Sequence, residues 1–370
     1  MKLTVTNNLN VRIGAPSVNA PNFQYIAPGD AIDVDGNLYK GDDYDGNDQW
    51  YKDESENYYW SGGVAQINFG WSIRLLGVDK IWSVTKGKGI KIAIIDSGID
   101  LKNSDLNLGI TKKYNILDNS DNVQDNYFHG TYCSTIVASR GLNGVIGVAP
   151  SCDLIIIKIL EDDNTINTNN INFLEDNRLN GIKKAIEFGA DIISMSFGST
   201  KEYPQTTAYI NNLISAGKIC IAAAGNNPND VVEYPANIKG MISVGNIKCI
   251  NPNAQFGQGE FDLSDRTAGN TLPNNQGEGV TIVAPGDGVD VYTIGGGIVH
   301  SVSGTSYATP YVAGVAALWL SVIQSKKINI SNNHEAFRKF IIDNAYSDSQ
   351  NYNQLTWGEG IINPNKILSI

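Results

Sequence analysis

The chain of 370 residues is poor in several residue types, and each shortage narrows what it can do. It has only 3 histidines and 3 methionines. Its 4 cysteines, Cys133, Cys152, Cys220 and Cys249, are widely and irregularly spaced. That spacing fits neither a zinc site nor a CxxC pair, and the expectation is four small buried hydrophobes. Positive charge is scarce: 27 Lys and Arg stand against 38 Asp and Glu, a formal net charge of −11. Nucleic acid is therefore not an expected partner. Long apolar runs are missing as well. The longest, Val312 to Ile323, is too short to cross a bilayer, so no membrane partner is expected. The first ten residues hold one lysine and no apolar run. No signal peptide is visible there, which points to a cytoplasmic protein and leaves secretion of a processed form open.

What the chain does have is bulk and pattern. Hydrophobic residues make up 42% of it, enough for a large core and more than one domain. Residues 1–66 are rich in Asn, Asp, Gly and Tyr, with turn pairs at Asp35-Gly36 and Asp45-Gly46, and read as a small all-β, barrel-like domain. The first 60 residues carry Lys2, Arg12, Lys40 and Lys52 against ten acids, a net of −6. The Asp42–Asp48 run lacks the spacing of a calcium-binding loop and reads as a solvated turn.

Over residues 67–370 the pattern becomes α/β. Apolar, β-rich runs recur at Ile90–Ile95, Leu154–Ile159, Ile192–Met195, Ile219–Ala223, Ile242–Val244 and Val280–Val283. Helical stretches at Arg178–Phe188, Thr207–Ala216 and Ser306–Ile323 alternate with them. That alternation predicts a parallel sheet with helices on both faces.

Serine is a poor nucleophile unless a base lies within hydrogen-bond reach and an acid orients that base. Asp96 follows the apolar run Ile92–Ile95, at the end of a predicted buried strand, where an α/β sheet displays its site residues. The plain alternative is a carboxylate capping a turn. His129 precedes Gly130-Thr131 and a helix-compatible stretch, which suits a base held in a first helical turn, or an incidental cap. Ser306 opens a small-residue helix after Gly304-Thr305, so its N–H points from a helix N-terminus that favours a developing oxyanion. Asn226 follows Ala222-Ala223-Ala224-Gly225 and has the right amide for a second donor; alone it would be a turn residue. His300 and His334 match no such pattern.

Together, in the order Asp, His, Ser, the segments Ile94–Asp100, His129-Gly130-Thr131 and Gly304–Pro310 resemble the subtilase family of serine proteases. The resemblance spans residues 70–370, including the closing segment Trp357–Asn363. It implies a subtilisin-like sheet and a serine endopeptidase with Asp96, His129, Ser306 and Asn226 as catalytic groups, acting on polypeptide and requiring no cofactor. The alternative is a silent scaffold of the same fold. The resemblance also implies that Ser196, Phe197 and Gly198 pair with substrate backbone and that Ala223 and Gly225 wall the specificity pocket. Glu233 then falls at the pocket floor and favours Lys or Arg in the substrate; the rival reading is a surface glutamate. Departures include Tyr132, Ser134-Thr135, Tyr307 and Tyr311 at positions where the family often has other residues. The Gly141–Gly144 loop is shorter than the calcium-ligating loop of secreted members, which counts against a structural calcium without removing it. Cys133 sits where some subtilases carry a free cysteine. Asp162–Asn177 and Asn251–Gly277 read as extra loops at the cleft rim. Finally, Leu9–Gly14, Trp50-Tyr51 and Tyr59–Val64 resemble bacterial Src-homology-3-like domains, which implies a protein partner or ligand for residues 1–66.

Overall fold

The computed structural model describes residues 1–28, 30–66, 70–161, 171–227, 231–251, 261–263, 279–347 and 354–370. The chain divides into two compact units, one of residues 1–69 with 139–146, the other of 70–138 with 147–370.

In the first unit Asp45 and Gly46 take φ of 51° and 79°. Positive φ at both central residues makes a two-residue hairpin turn whose twist suits the flanking strands, Tyr39–Tyr44 and Asn47–Lys52. That hairpin is one edge of an antiparallel five-stranded sheet, and a three-stranded sheet pairs Lys2–Val5 with Ala31–Asp33 and Val64–Gln66. Leu3, Val5, Leu9, Val11, Ile32, Val34 and Tyr59 form its core. The carboxylates of the acidic run have protein partners: Asp42 accepts from Ser17 Oγ and Val18 N–H, Asp43 from Gly46 N–H, and Asp48 pairs with Lys40. A cavity of about 540 Å³ in this unit is lined by Leu9, Arg12, Tyr44, Trp50 and Trp60 among others.

The second unit is built on one sheet. Its strands run Ile110–Asn115, Asp153–Lys158, Lys91–Asp96, Ile192–Met195, Ile219–Ala223, Ile242–Cys249 and Ile282–Tyr292, all parallel. Ile298–Ser303 joins antiparallel at the edge, and Phe261–Leu263 pairs antiparallel with Ile242–Cys249. The central strands Lys91–Asp96, Asp153–Lys158, Ile192–Met195 and Ile219–Ala223 are mostly apolar and buried, because helices cover both faces, whereas the edge strand Ile110–Asn115 is polar and partly exposed. Strand order reverses between Lys91–Asp96 and Ile192–Met195, so a crevice opens there at the carboxyl ends of the strands.

Three expectations need correction. The last parallel strand extends to Tyr292, through Pro285, Gly286 and Gly288, a composition that reads as loop; a bulge at Gly286 accommodates it. The expected loop Asp162–Asn177 ends instead in helix, which begins at Ile171. Its polar residues have tertiary partners: buried Glu175 accepts from Thr206 Oγ1 at 2.6 Å, and buried Asn177 Nδ2 donates to Ile159 O at 3.4 Å. Residues 162–170 of that expected loop, and 252–260 and 264–277 of the other, lie outside the described residues. Third, the apolar run is part of a longer helix, Thr305–Ser325, of a length and composition that would span a membrane. Nearly all of it is buried, and it packs under the sheet as the core helix.

His334, assigned no role from sequence, is fully buried at the start of the Asn333–Asp343 helix. Its Nδ1 accepts from Cys220 N–H at 3.1 Å, and its Nε2–H donates to Gly240 O at 2.7 Å. Acceptance at Nδ1 needs the neutral ring, and burial lowers its pKa from the ordinary 6.5. The unfolded chain therefore takes up the proton first. The stability it confers is complete above pH 6.5 and declines as the pH falls below that value. In an inactive Ser306→Ala background, His334→Gln should be less stable at pH 7.5 by about 1–3 kcal/mol. It should also lose less stability than its parent on going to pH 5, as followed by thermal melting; parallel pH profiles would refute the role.

Candidate active site

Lys91–Asp96, Ile192–Met195 and Ile219–Ala223 are neighbours and parallel, so their carboxyl ends share one edge of the sheet. Asp96, Ser196 and Asn226 are gathered there for that reason alone. Asp96 is 3% exposed. Its Oδ1 and Oδ2 lie 2.8 and 2.9 Å from His129 Nδ1, and Oδ1 also accepts from Ser97 N–H at 2.7 Å. A carboxylate only accepts, so the imidazole proton sits on Nδ1 and Nε2 carries the lone pair.

His129 opens the His129–Ala138 helix. Its position is set by a residue not singled out from sequence, Asp125. The buried Asp125 carboxylate accepts from Ser97 Oγ, Tyr127 N–H, Phe128 N–H, Thr131 N–H and Thr131 Oγ1, at 2.6–3.0 Å. Ser97 Oγ in turn accepts from Gly130 N–H at 2.9 Å. The strand end bearing Asp96 and the helix start bearing His129 are thus tied through two intermediates. The approach is close enough that a Cβ on Gly130 would overlap Gly98 O, and Gly98 itself has φ 115°. Phe128, with φ 86°, is a non-glycine residue held in left-handed backbone next to His129. A helix N-terminus preceded by Asp is a readable capping signal, so Asp125 was discoverable. The segment before it is anchored by Lys158, whose ammonium is buried, donates to Gln124 O at 2.6 Å and pairs with Glu161.

Ser306 lies in the first turn of the core helix, after Gly304 and Thr305. Its hydroxyl donates to Ser196 O at 3.2 Å, and Ser196 Oγ donates to Ser306 O at 2.8 Å. The second bond has a sequence cause. Four residues on, Pro310 lacks the N–H that would take up Ser306 O within the helix, and the freed carbonyl accepts from Ser196 and, at 3.5 Å, from Cys133 Sγ. Burial and the nearby Asp96 push the Cys133 thiol well up. Cys133 Sγ, Asp96 and His129 offer ligand atoms within 4.8 Å of one another. The ring of Tyr307, the residue after Ser306, lies 5.6 Å from the His129 ring and 6.1 Å from that of Tyr132.

Asn226 is exposed, yet oriented. Its Oδ1 accepts from Thr305 N–H at 2.8 Å and Thr305 Oγ1 at 3.0 Å, which turns Nδ2 away as the donor. The pocket lies beside it. Met195 pairs with Ala222 as the last rung between their strands, and beyond it Ser196–Ser199 and Ala223–Asn226 part. The gap is closed by Glu233-Tyr234. Glu233 N–H bonds Ala224 O, while Tyr234 exchanges both backbone bonds with Ser199. Ala223 and Gly225 line one side; Phe197 and Gly198 line the other. His300 is remote from this network, exposed and paired with Asp290.

Asp125→Ala would leave the buried Thr131 N–H without its acceptor, at a cost of about 1–3 kcal/mol. It should lower both melting temperature and kcat, the latter by about tenfold or more as His129 loses its bearing. Asp125→Asn, which keeps an acceptor, should restore much of the stability. Unchanged kinetics in Asp125→Ala would show that His129 is held by other means.

Comparison with known proteins agrees with this geometry. Residues 87–360 match the model of the subtilase family. A protein of Paenibacillus polymyxa named intracellular serine protease is 32% identical over 256 residues, covering 66% of this chain and 71% of the relative. Subtilisin E of Bacillus subtilis (strain 168) is 30% identical over 284 residues, covering 75% of this chain and 65% of its own. Fervidolysin from Fervidobacterium pennivorans, a keratinolytic enzyme related to subtilisin, shares the fold with a TM-score of 0.67 at 22% identity, over 81% of this chain and 45% of that one. With an Asp–His pair whose carboxylate is buried, a serine at a helix start and a family match over residues 87–360, the chain belongs to the subtilase family of serine endopeptidases.

Proposed function

We propose that peptide hydrolysis here runs through Ser306 as nucleophile, His129 as base and then acid, and Asp96 as the orienting carboxylate. Asn226 Nδ2 and Ser306 N–H stabilise the oxyanion. The observation that carries this reading is the Asp96–His129 bond, which holds the ring through Nδ1 as an orienting carboxylate holds a catalytic base.

Substrate lies extended along Ser196–Gly198, with its side chain in the gap between Phe197-Gly198 and Ala223–Gly225. In the free enzyme the Ser306 hydroxyl donates to Ser196 O. A substrate N–H that takes this acceptor releases the hydroxyl to turn toward His129. Ser306 Oγ then bonds the carbonyl carbon as its proton passes to Nε2, and the carbonyl π pair moves onto oxygen. Asn226 Nδ2, the Ser306 N–H and the positive end of a 21-residue helix meet that charge. Collapse breaks the C–N bond while His129 returns the proton to the amine. Water repeats the sequence: its proton goes to His129, its hydroxyl bonds the acyl carbon, and Ser306 leaves with the proton. Each proton transfer and each developing charge is met by a protein group, so the reading calls for no cofactor. The Paenibacillus relative's name supports work inside the cell. The aromatic-lined cavity of the first unit supports a protein or peptide partner there.

A fluorophosphonate should label Ser306, and Ser306→Ala should abolish labelling and peptidase activity. His129→Ala should cost at least about 10⁴-fold in kcat, and Asn226→Ala about 10²–10³-fold. Labelling elsewhere, or an active Ser306→Ala, would overturn the assignment. No labelling at all would leave a silent fold that binds without cutting.

A further inference from the structure

We infer that Tyr307 is a positioning residue of this enzyme: its ring packs on the His129 imidazole and holds the base in line with Ser306. The inference rests on the site assignment above and adds a residue to it.

The Asp96 carboxylate grips His129 at one atom only, since both of its oxygens lie against Nδ1. The terminal torsion of a histidine side chain has a broad minimum, so a ring bonded at one edge can still rock and carry Nε2 off line. Contacts with the ring itself remove that freedom. Tyr307 and Tyr127 supply them, with centroids 5.6 and 6.5 Å from that of His129. Both fall in the range of about 4.5–7 Å over which aromatic rings attract one another.

These two rings are held in turn by others. Tyr127 meets Phe128 at 4.6 Å, Phe128 meets Tyr132 at 5.0 Å, and Tyr132 meets Tyr307 at 6.1 Å. Five rings thus form a closed circuit, and His129 is one of its members. Tyr307 is the anchored contact in it: it is 9% exposed, it leaves the first turn of the core helix, and Tyr132, 8% exposed, backs it from the His129 helix. Tyr127 is only half-buried. The left-handed backbone of Phe128 fits the same arrangement. Strain persists where the surroundings fix it, and here the ring contacts with Tyr127 and Tyr132 do so.

Tyr307 works through its ring rather than its hydroxyl, which has no hydrogen-bond partner among the described residues. Burial, with the neighbouring Cys133 and Asp96 adding to it, pushes the phenol up from its ordinary value, so the ring stays neutral. A neutral aromatic ring attracts a cation within about 6 Å of its centroid, so the contact strengthens when His129 takes the proton from Ser306. A gain that exists only then appears in kcat and not in KM.

The test uses the full chain and one peptide substrate, with kcat counted per Ser306 that a fluorophosphonate labels. Tyr307→Leu keeps an apolar side chain but removes the ring, and should lower kcat by about fivefold or more with KM within about twofold. Tyr307→Phe keeps the ring and should restore kcat to within about twofold. A side chain that merely fills the core would lower the melting temperature in Tyr307→Leu and leave kcat per labelled site unchanged. That outcome overturns the inference, as does a Tyr307→Phe enzyme as slow as Tyr307→Leu, which would assign the effect to the hydroxyl. Should Tyr307→Leu fail to fold, Tyr132→Leu decides: it removes the ring behind Tyr307 and should lower kcat by about two- to threefold at constant KM, and an unchanged kcat refutes the inference. Labelling separates the two layers. A wild type that labels while the variants keep its kcat refutes only the role of Tyr307, whereas a wild type that does not label brings down the site assignment and this inference together.

Discussion

Five hydrogen bonds converge on the Asp125 carboxylate, and the site depends on them. The group is buried, and its charge is met by N–H and O–H donors and by the start of a helix. Removing it would leave donors with nowhere to go, so the cost of any rearrangement falls on the segment that carries His129. Asp125 also links the two halves of the Asp–His pair, since Ser97, beside Asp96, bonds both Asp125 and Gly130. The proposed chemistry acts through Asp96, His129 and Ser306, but the geometry that positions them is set one layer out.

Asp96, His129, Ser306 and Asn226 were legible because each sits where an element begins or ends, and such ends carry sequence signals. Apolar runs marked Ile192–Met195 and Ile219–Ala223 to the residue, and the Asp45-Gly46 turn was readable from its composition. What was not legible shares another cause. The helix from Ile171 and the strand through Pro285 have compositions that favour loops. Their conformations rest on distant partners, such as Thr206 for Glu175, which no local pattern reveals. His334 is a similar case: its partners, Cys220 and Gly240, lie about a hundred residues away. Asp125 was readable in principle as a cap, but its significance lies in contacts with Ser97, 28 residues upstream.

The pocket shows the same limit at higher stakes. Gly198, Gly225 and Glu233 are ordinary residues in isolation. Only the splaying of two paired strands, and a third segment closing the gap, brings them side by side.

The carbonyl of Ser306 has a wider consequence. Pro310 removes it from its own helix, and it is satisfied instead by Ser196, just past the strand ending at Met195, and by Cys133 on another helix. Ser306 is therefore not held by its own helix alone. It acquires its fixed position only when the core helix, the strand ending at Met195 and the His129 helix have all docked. An incompletely folded chain holds the same residues but not the arrangement that arms them. For the nucleophile proposed here, this makes competence to cleave the last thing folding delivers.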